Sequence, residues 1–206
     1  MIQPKIKNTI PTTFENAIKE ELFEKYYIED NPIESISIKN ITFNECYFKN
    51  ISFQDIAINN VDVLDVIFEN CDLSNISFES KSIHRVIFKN CRLMGLDFSN
   101  SSLTHVQIMN CLGNYMNFSY SKMKDCLLKD SSFIESSFIE TELTKISFKN
   151  CNLTSSEFFH TKMPNIDLSS CHIEGIHTDI SSLYKIKVNL YQAADLSRLL
   201  GLEIID

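Results

Sequence analysis

The stretch Phe68-Glu69-Asn70-Cys71 returns twenty residues later as Phe88-Lys89-Asn90-Cys91, and this spacing decides the fold. Further copies stand at multiples of the same interval, at Phe48-Lys49-Asn50-Ile51, Ile108-Met109-Asn110-Cys111 and Phe148-Lys149-Asn150-Cys151. A repeat of fixed length is the signature of a solenoid, in which each unit packs only on its neighbours.

Within each repeat the apolar period is five, which matches neither a helix, at about 3.6, nor a strand, at about 2. Every fifth residue from Ile33 to Ile173 is Ile, Val, Leu, Met or Phe, apart from Gly113. The residue two before each of these centres is almost always small or β-branched, and this class includes all seven cysteines. Two inward and three outward positions in every five are therefore predicted.

A square coil accounts for both periods. Each side uses five residues, so a coil uses twenty, and the next coil lies on it at the strand spacing of about 4.8 Å. The large residue fills the middle of a side, and the small one lies near a corner. Roughly seven coils then make a rod about 35 Å long.

Two columns of this predicted stack repeat one residue type. One is an amide column that includes Asn50, Asn70 and Asn90, of the kind that stabilises in-register β stacks. Beside it lie Cys71, Cys91 and their successors. Neighbouring cysteines fall within Cα range of a disulfide, but parallel side chains in a reducing cell favour packing over redox or metal chemistry.

Runs such as Cys71-Asp72-Leu73-Ser74-Asn75 and Cys151-Asn152-Leu153-Thr154-Ser155 resemble the pentapeptide-repeat proteins, whose consensus is Ala-Asp/Asn-Leu-x-x. The resemblance covers residues 33–175 and implies an all-β solenoid, a right-handed quadrilateral β-helix. Such a scaffold leaves function to the surface that it carries.

Residues 1–32 are predicted to form an arm and a capping helix. Thr12-Thr13-Phe14-Glu15 has the pattern of a capping box, and apolar residues recur at helical spacing up to Tyr26. A helix is therefore expected from about Thr13 to Tyr27, ended by Asn31-Pro32. It would cover the open first coil; the alternative is a docking helix for a partner.

One outward column is unexpectedly apolar and suggests burial against something. Its members are Tyr47, Ile67, Ile87, Gln107 and Leu127. We expect the N-terminal arm or helix to lie along this apolar stripe; the alternative is a partner surface.

The core has one irregular position. Gly113 stands where every other unit has a large apolar residue. Removing a Leu-sized side chain from a core costs about 2 to 5 kcal/mol. We therefore expect Leu112 or a neighbouring aromatic ring to fill the gap, or the coil to bend there.

Charge is banded along the sequence. The net charge of −8 argues against direct binding of nucleic acid, which needs a surface rich in Lys and Arg. Blocks of acidic residues alternate along the sequence with one basic block. Because the coil wraps around the axis, these blocks should form girdles, that is, rings of charge around the rod, and not a lengthwise stripe. Ion pairs between neighbouring coils are the alternative explanation. The acids that form the candidate partner surface are Asp55, Asp62, Asp65, Glu69, Asp72, Glu79, Asp125, Asp130, Glu135 and Glu140.

A different pattern begins at residue 176. Asn189 with Gln192 forms an N-cap pair, Gly201 is a C′ glycine, and Glu203-Ile204-Ile205 can form a final strand. This ending resembles the C-terminal segment of the Qnr and MfpA topoisomerase-protecting subgroup, which implies that residues 176–206 join two chains as a homodimer. The dimerisation residues would be Leu190, Ala193, Leu196, Leu199, Leu200, Leu202 and Ile204.

Nothing in the sequence points to catalysis. All five histidines fall at outward positions, and no Cys-x-x-Cys, Gly-rich phosphate loop or nucleophile elbow is present. We expect no enzyme, no cofactor and no metal. The absence of a long apolar run predicts a cytoplasmic protein that does not enter a membrane.

Two functions remain. The resemblance implies a DNA mimic that binds a type II topoisomerase, DNA gyrase or topoisomerase IV, and protects it from quinolones. The alternative is a scaffold rod that binds another protein through the apolar stripe.

Overall fold

The chain is a parallel β-solenoid of about seven turns with a short C-terminal helix. A computed structural model describes residues 1–19, 23–32 and 35–205. The helices are α1 (Phe14–Lys19) and α2 (Leu190–Ser197), and a 3₁₀ turn follows at Arg198–Leu200. The strands are β1 (Ile10–Pro11), β2 (Tyr26–Ile28), β3 (Ile36–Lys39), β4 (Thr42–Asn44), β5 (Tyr47–Lys49), β6 (Ile56–Asn59), β7 (Asp62–Glu69), β8 (Ser82–Lys89), β9 (Ser102–Thr104), β10 (Gln107–Met109), β11 (Lys122–Lys124), β12 (Leu127–Lys129), β13 (Glu142–Thr144) and β14 (Ser147–Lys149).

The coils stack in the register that the sequence predicts. Ile67 pairs with Tyr47 on one side and with Ile87 on the other, and all these pairings are parallel. Single bridges such as Asp97 to Asn117 continue the twenty-residue register on the sides that have no longer strands. The expected fold class is confirmed.

The corners of the coils lie in the left-handed region of φ. Asn70, Asn75 and Ser80 have φ of 54°, 60° and 58°. Asn tolerates this conformation better than most residues do, so the amide column has a backbone reason as well as a side-chain one. The side chains do connect: Asn70 Nδ2 donates to Asn50 Oδ1 at 3.1 Å, and Asn90 Nδ2 donates to Asn70 at 3.2 Å.

Large side chains stack along the axis. The rings of Phe68 and Phe88 have centroids 5.1 Å apart, and those of Phe138 and Phe158 are 4.6 Å apart. Such stacking fills the interior at close-packed density.

At several corners the small position holds a Cys, Ser or Thr whose side chain donates a hydrogen bond to a backbone carbonyl. Ser101 Oγ donates to the carbonyl of Phe78 at 2.6 Å, and the Cys91 thiol lies 3.4 Å from the carbonyl of Phe68. Both acceptors lie 23 residues earlier in the chain. All seven cysteines are free, buried thiols, so they pack at this position as small side chains that can also donate a hydrogen bond.

Met116 compensates for Gly113. A Cβ atom at Gly113 would meet the Met116 sulfur at 2.5 Å, so the thioether occupies the space of the missing side chain. Leu112, which we expected to fill the gap, is instead 54% exposed. The expectation of Leu112 or an aromatic ring was wrong, because the unbranched Met side chain at the next inward position reaches the void.

The N-terminal helix is shorter than predicted. It is described over Phe14–Lys19, residues 20–22 lie outside the described part, and Tyr26–Ile28 form β2. The prediction of helix up to Tyr27 was wrong, because pairing of β2 with β5 satisfies the edge of the coil. The helix does cap the interior: Phe14 is fully buried and its ring stacks 5.8 Å from that of Phe48.

Pairing extends beyond both expected limits of the solenoid. At the N-terminal end β1 pairs with β2, and at the other end Asp167 bridges to Lys187; the expected start, Ile33, lies outside the described residues. Within the described chain no helix is long and apolar enough to cross a membrane.

The C-terminal helix is capped as expected. Asn189 and Gln192 form the capping box, and Gly201 has φ of 72°. Gln192 Nε2 also donates to the carbonyls of Leu168 and Cys171 at 2.9 and 2.7 Å, which fixes α2 over the last coil. Residues 202–205 form no strand within the described chain.

Candidate protein-interaction surface

The N-terminal arm lies along the apolar stripe. The Lys5 N–H donates to Asp65 Oδ1 at 2.7 Å, and Gln107 Nε2 donates to Gln3 Oε1 at 3.0 Å. Pro4 is half-buried between these two contacts. The arm therefore runs along the rod axis, and Gln107 is 5% exposed. The other members of the stripe are half-buried: Tyr47, Ile67, Ile87 and Leu127.

An ion pair anchors the middle of the arm. Arg85 Nε and Nη2 each donate to a carboxylate oxygen of Asp65 at 2.6 Å. Burial opposes the charge on Asp65, but the hydrogen bonds from Arg85 and the Lys5 N–H outweigh it and hold the pKa of this carboxyl below its ordinary value. Burial, and then the Arg85 charge, lower the pKa of the neighbouring His84.

Several predicted surface acids are neutralised by the next coil. Besides Asp65, Glu69 pairs with Lys89 at 2.7 Å and Asp72 with Arg92 at 3.5 Å. The hydrogen bonds from Lys89 and from the Tyr47 hydroxyl lower the pKa of Glu69. Ion pairing between neighbouring coils, the alternative explanation, therefore holds on this part of the rod.

Three more predicted acids lie on the same sides of the coil. Asp62 accepts the Ser82 N–H at 2.8 Å, and Asp130 pairs with Lys129 at 3.3 Å. Asp125 is half-buried at a corner.

Another side of the rod carries no Lys or Arg along nearly its whole length. This base-free face consists of residues 55–60, 75–80, 95–100, 115–120, 135–140, 155–160 and 175–180. Bridges from Ser77 through Asp97 and onward to His177 stack its segments. Lys39 lies one coil before it, and the Lys81 ammonium reaches its edge at Asn60.

The base-free face collects seven acids. They are Asp55, Glu79, Asp97, Glu135, Glu140, Glu157 and Asp179. None pairs with Lys or Arg within the described residues; Asp179 lies 3.7 Å from His160 Nδ1. Hydrogen bonds from Ser181, and also from the His160 N–H, lower the pKa of Asp179. Besides the expected girdles of charge, unpaired acids therefore also extend lengthwise along this face.

Three of these acids, Asp97, Glu157 and Asp179, were missed at the sequence level. The signal was available, because aligning the chain at twenty-residue intervals places them in one set of columns. Scanning for consecutive runs of like charge hides them.

The charge density of this face is lower than that of DNA. Seven acids over about seven turns give roughly one charge per 4.8 Å. Duplex DNA carries one charge per about 1.7 Å. The face therefore has about a third of the charge density of a duplex.

The C-terminal end presents a second apolar surface. Leu190, Leu200 and Ile204 are 81, 60 and 59% exposed. Of the other predicted dimerisation residues, Leu196 is half-buried and the rest are exposed: Ala193, Leu199 and Leu202. A groove of about 870 Å³ lies between this segment and the last coils, lined by residues such as Met163 and Ile180.

The model of the pentapeptide repeat region matches residues 61–138, and the flanking coils keep the same register. Residues 61–138 are therefore a pentapeptide-repeat region, and the whole chain has the parallel β-solenoid fold that such repeats form. The comparison with the curated proteins found no match.

Its fold resembles that of QnrB1, described as a plasmid-mediated fluoroquinolone resistance protein. A trypsin-treated form is 21% identical, with a TM-score of 0.54, and the match covers 99% of this chain and 94% of that chain. For full-length QnrB1 the identity is 22%, the TM-score 0.52, and the coverage 87 and 89%. At these identities the likeness shows the fold.

Proposed function

We propose that this chain is a non-enzymatic binding protein whose base-free face occupies the DNA-binding surface of a type II topoisomerase, DNA gyrase or topoisomerase IV, in the cytoplasm. The observation that carries the proposal is the line of acids that form no ion pair with Lys or Arg in the described part of the chain. DNA-binding surfaces are basic because they neutralise phosphates, so an acidic face on a rod is complementary to them. Occupation of that surface would protect the enzyme from quinolones.

We propose further that two rods join through the C-terminal segment. The exposed apolar side chains from Leu190 to Ile204 would be covered by the same segment of a second copy. Two rods of about 35 Å placed end to end would reach about 70 Å, near the length of twenty base pairs. A dimer therefore supplies a duplex-like length that one rod lacks.

The test is gyrase supercoiling, with and without a fluoroquinolone, across a titration of the purified protein. We expect inhibition at high concentration and protection from the drug at lower concentration. If the wild-type protein causes neither inhibition nor protection, the topoisomerase proposal is rejected.

A matched pair of variants assigns the effect to the face. Glu79→Gln, Glu140→Gln and Glu157→Gln together remove three charges from the base-free face. The control variant, with Glu45→Gln, Asp125→Asn and Glu142→Gln, removes the same number of negative charges from other sides of the coil. We expect the first triple variant to lose the effect and the second to keep it.

The alternative function, a scaffold that binds another protein through the apolar stripe, requires that the N-terminal arm first leave the stripe. Because the arm already covers the stripe between Asp65 and Gln107, a partner would have to displace it. The base-free face is open without such a step.

A further inference from the structure

Two tyrosines on the base-free face occupy an unusual backbone conformation. Tyr115 and Tyr120 lie at successive corners of one coil, with φ of 63° and 61°. Among the described non-glycine residues with positive φ, these two are the only tyrosines; the others are Asn, Asp, Ser, Glu, Lys, Arg or His. In the same columns the preceding coils have Gly95 and Asn100, residues that suit this conformation.

The surroundings of these tyrosines do not explain their presence. A bulky residue at positive φ is an outlier that surrounding structure must compensate. Yet Tyr115 and Tyr120 are 53 and 54% exposed, and neither hydroxyl has a hydrogen-bond partner within the described residues. The coil imposes positive φ at its corners, so the fold accounts for the backbone conformation but not for the presence of two exposed aromatic rings there.

Each tyrosine is followed by a carboxylate one coil further along the same corner. The Tyr115 N–H donates to the carbonyl of Ile134 at 2.9 Å, which brings Glu135 next to it in the stack. The Tyr120 N–H donates to the carbonyl of Ile139 at 2.9 Å, which does the same for Glu140. Both glutamates are exposed, and neither has an ion-pair partner within the described residues.

We infer that these two tyrosine–glutamate pairs form a docking site for an arginine-bearing segment of the partner protein. A guanidinium can stack on the tyrosine ring while the glutamate below accepts its N–H groups. Arginine suits this site better than lysine does, since it is planar, less strongly hydrated and donates in a fork. This inference rests on the proposed function and names the group that the face recognises.

The test uses calorimetric titration of the full-length protein with an oligoarginine and an oligolysine peptide of equal length. We expect the arginine peptide to bind more tightly. The variant Tyr115→Asn with Tyr120→Asn should weaken its binding by about tenfold, whereas Tyr115→Phe with Tyr120→Phe keeps the rings and should bind as the wild type does. Tyr184→Asn, at a tyrosine that is 65% exposed outside this site, is the control and should also bind unchanged.

Thermal unfolding separates binding from a structural role. Because Asn is favoured at positive φ, the double Asn variant should unfold at the same temperature as the wild type or higher. A lower unfolding temperature, or equal affinity of the double Asn variant and the wild type for the arginine peptide, would overturn the inference.

Gyrase assays keep the two proposals apart. If the wild-type protein does not affect gyrase but binds the arginine peptide through the tyrosines, the topoisomerase proposal fails and the docking site stands. If the double Asn variant inhibits gyrase as well as the wild type does, the function stands and the docking site is rejected.

Discussion

At the scale of single residues, the five-residue repeat constrains the total volume of the inward side chains. It does not require one particular residue type at each inward position. Gly113 and Met116 show this, because a side chain from a small position fills the space of a missing centre. Cores tolerate such exchanges when the total volume is kept. Ser136 Oγ still donates to the Gly113 carbonyl at 3.0 Å, so the hydrogen bonding of the corner is retained.

Restoring only the missing centre should therefore overfill the coil. Gly113→Leu should lower the free energy of unfolding by about 1 to 3 kcal/mol, since the new side chain meets the Met116 sulfur. Adding Met116→Ser should recover most of the loss. Urea unfolding of the wild type, both single variants and the double variant checks this; equal loss in the single Leu and double variants would contradict it.

Asp65 should make stability depend on pH. Its pKa is lower in the folded chain than in the unfolded one, so its ionised form favours folding above a pH of about 4. As the pH falls below that value, this contribution is lost. Asp65→Asn, which leaves Arg85 without its carboxylate, should cost about 3 kcal/mol at pH 7 and less near pH 3.

Denaturant unfolding at both pH values measures the difference. Asp55→Asn, at an exposed position without an ion pair in the described residues, is the control and should change little. A loss for Asp65→Asn that is equal at the two pH values would show that the ion pair is not its cause.

At the scale of elements, the register could be predicted from the sequence and the terminal segments could not. The coil repeats one set of constraints, so spacing alone fixes which residues pair. The N-terminal segment obeys no repeat: Phe14 and Tyr26 fit one helical face, but Tyr26 lies in a strand because the coil edge needs a pairing partner. Local periodicity carries no information about that edge.

The N-terminal arm is predicted to shield the apolar stripe from solvent. Deleting residues 1–8 should expose the apolar stripe and increase binding of a hydrophobic dye. The deletion stops before β1, so α1 and β2 stay in place. Unchanged dye fluorescence, with the solenoid still folded by circular dichroism, would show that the arm does not cover the stripe.

At the scale of the whole molecule, the candidate surface was only partly visible in the sequence. Composition predicts an acidic protein, but pairing between coils decides which acids stay unpaired. Glu69 and Asp72 are matched by Lys89 and Arg92 one coil later, whereas Glu79 has no such neighbour. Such a surface becomes visible only when residues twenty apart are aligned in columns, and this alignment requires that the register of the coils be known.

The proposed end-to-end dimer gives a further prediction. Leu200→Asp places a charge in the exposed C-terminal apolar surface and should give a monomer by analytical ultracentrifugation. Thr144→Asp adds the same charge on an exposed side of the rod and should leave the dimer intact. Identical sedimentation of both variants and the wild type would rule out this interface.

The buried thiols along the rod carry a consequence of their own. Burial raises the pKa of Cys46 and of Cys126 to about 11, so neither reacts with an alkylating reagent until its coil opens. Because the cysteines are spread from Cys46 to Cys171, their labelling rates would report local opening coil by coil. Mass spectrometry of partly labelled protein would then show whether the rod opens first at its ends or near Gly113. The native cysteines serve as the labelling sites, so no residue needs to be introduced.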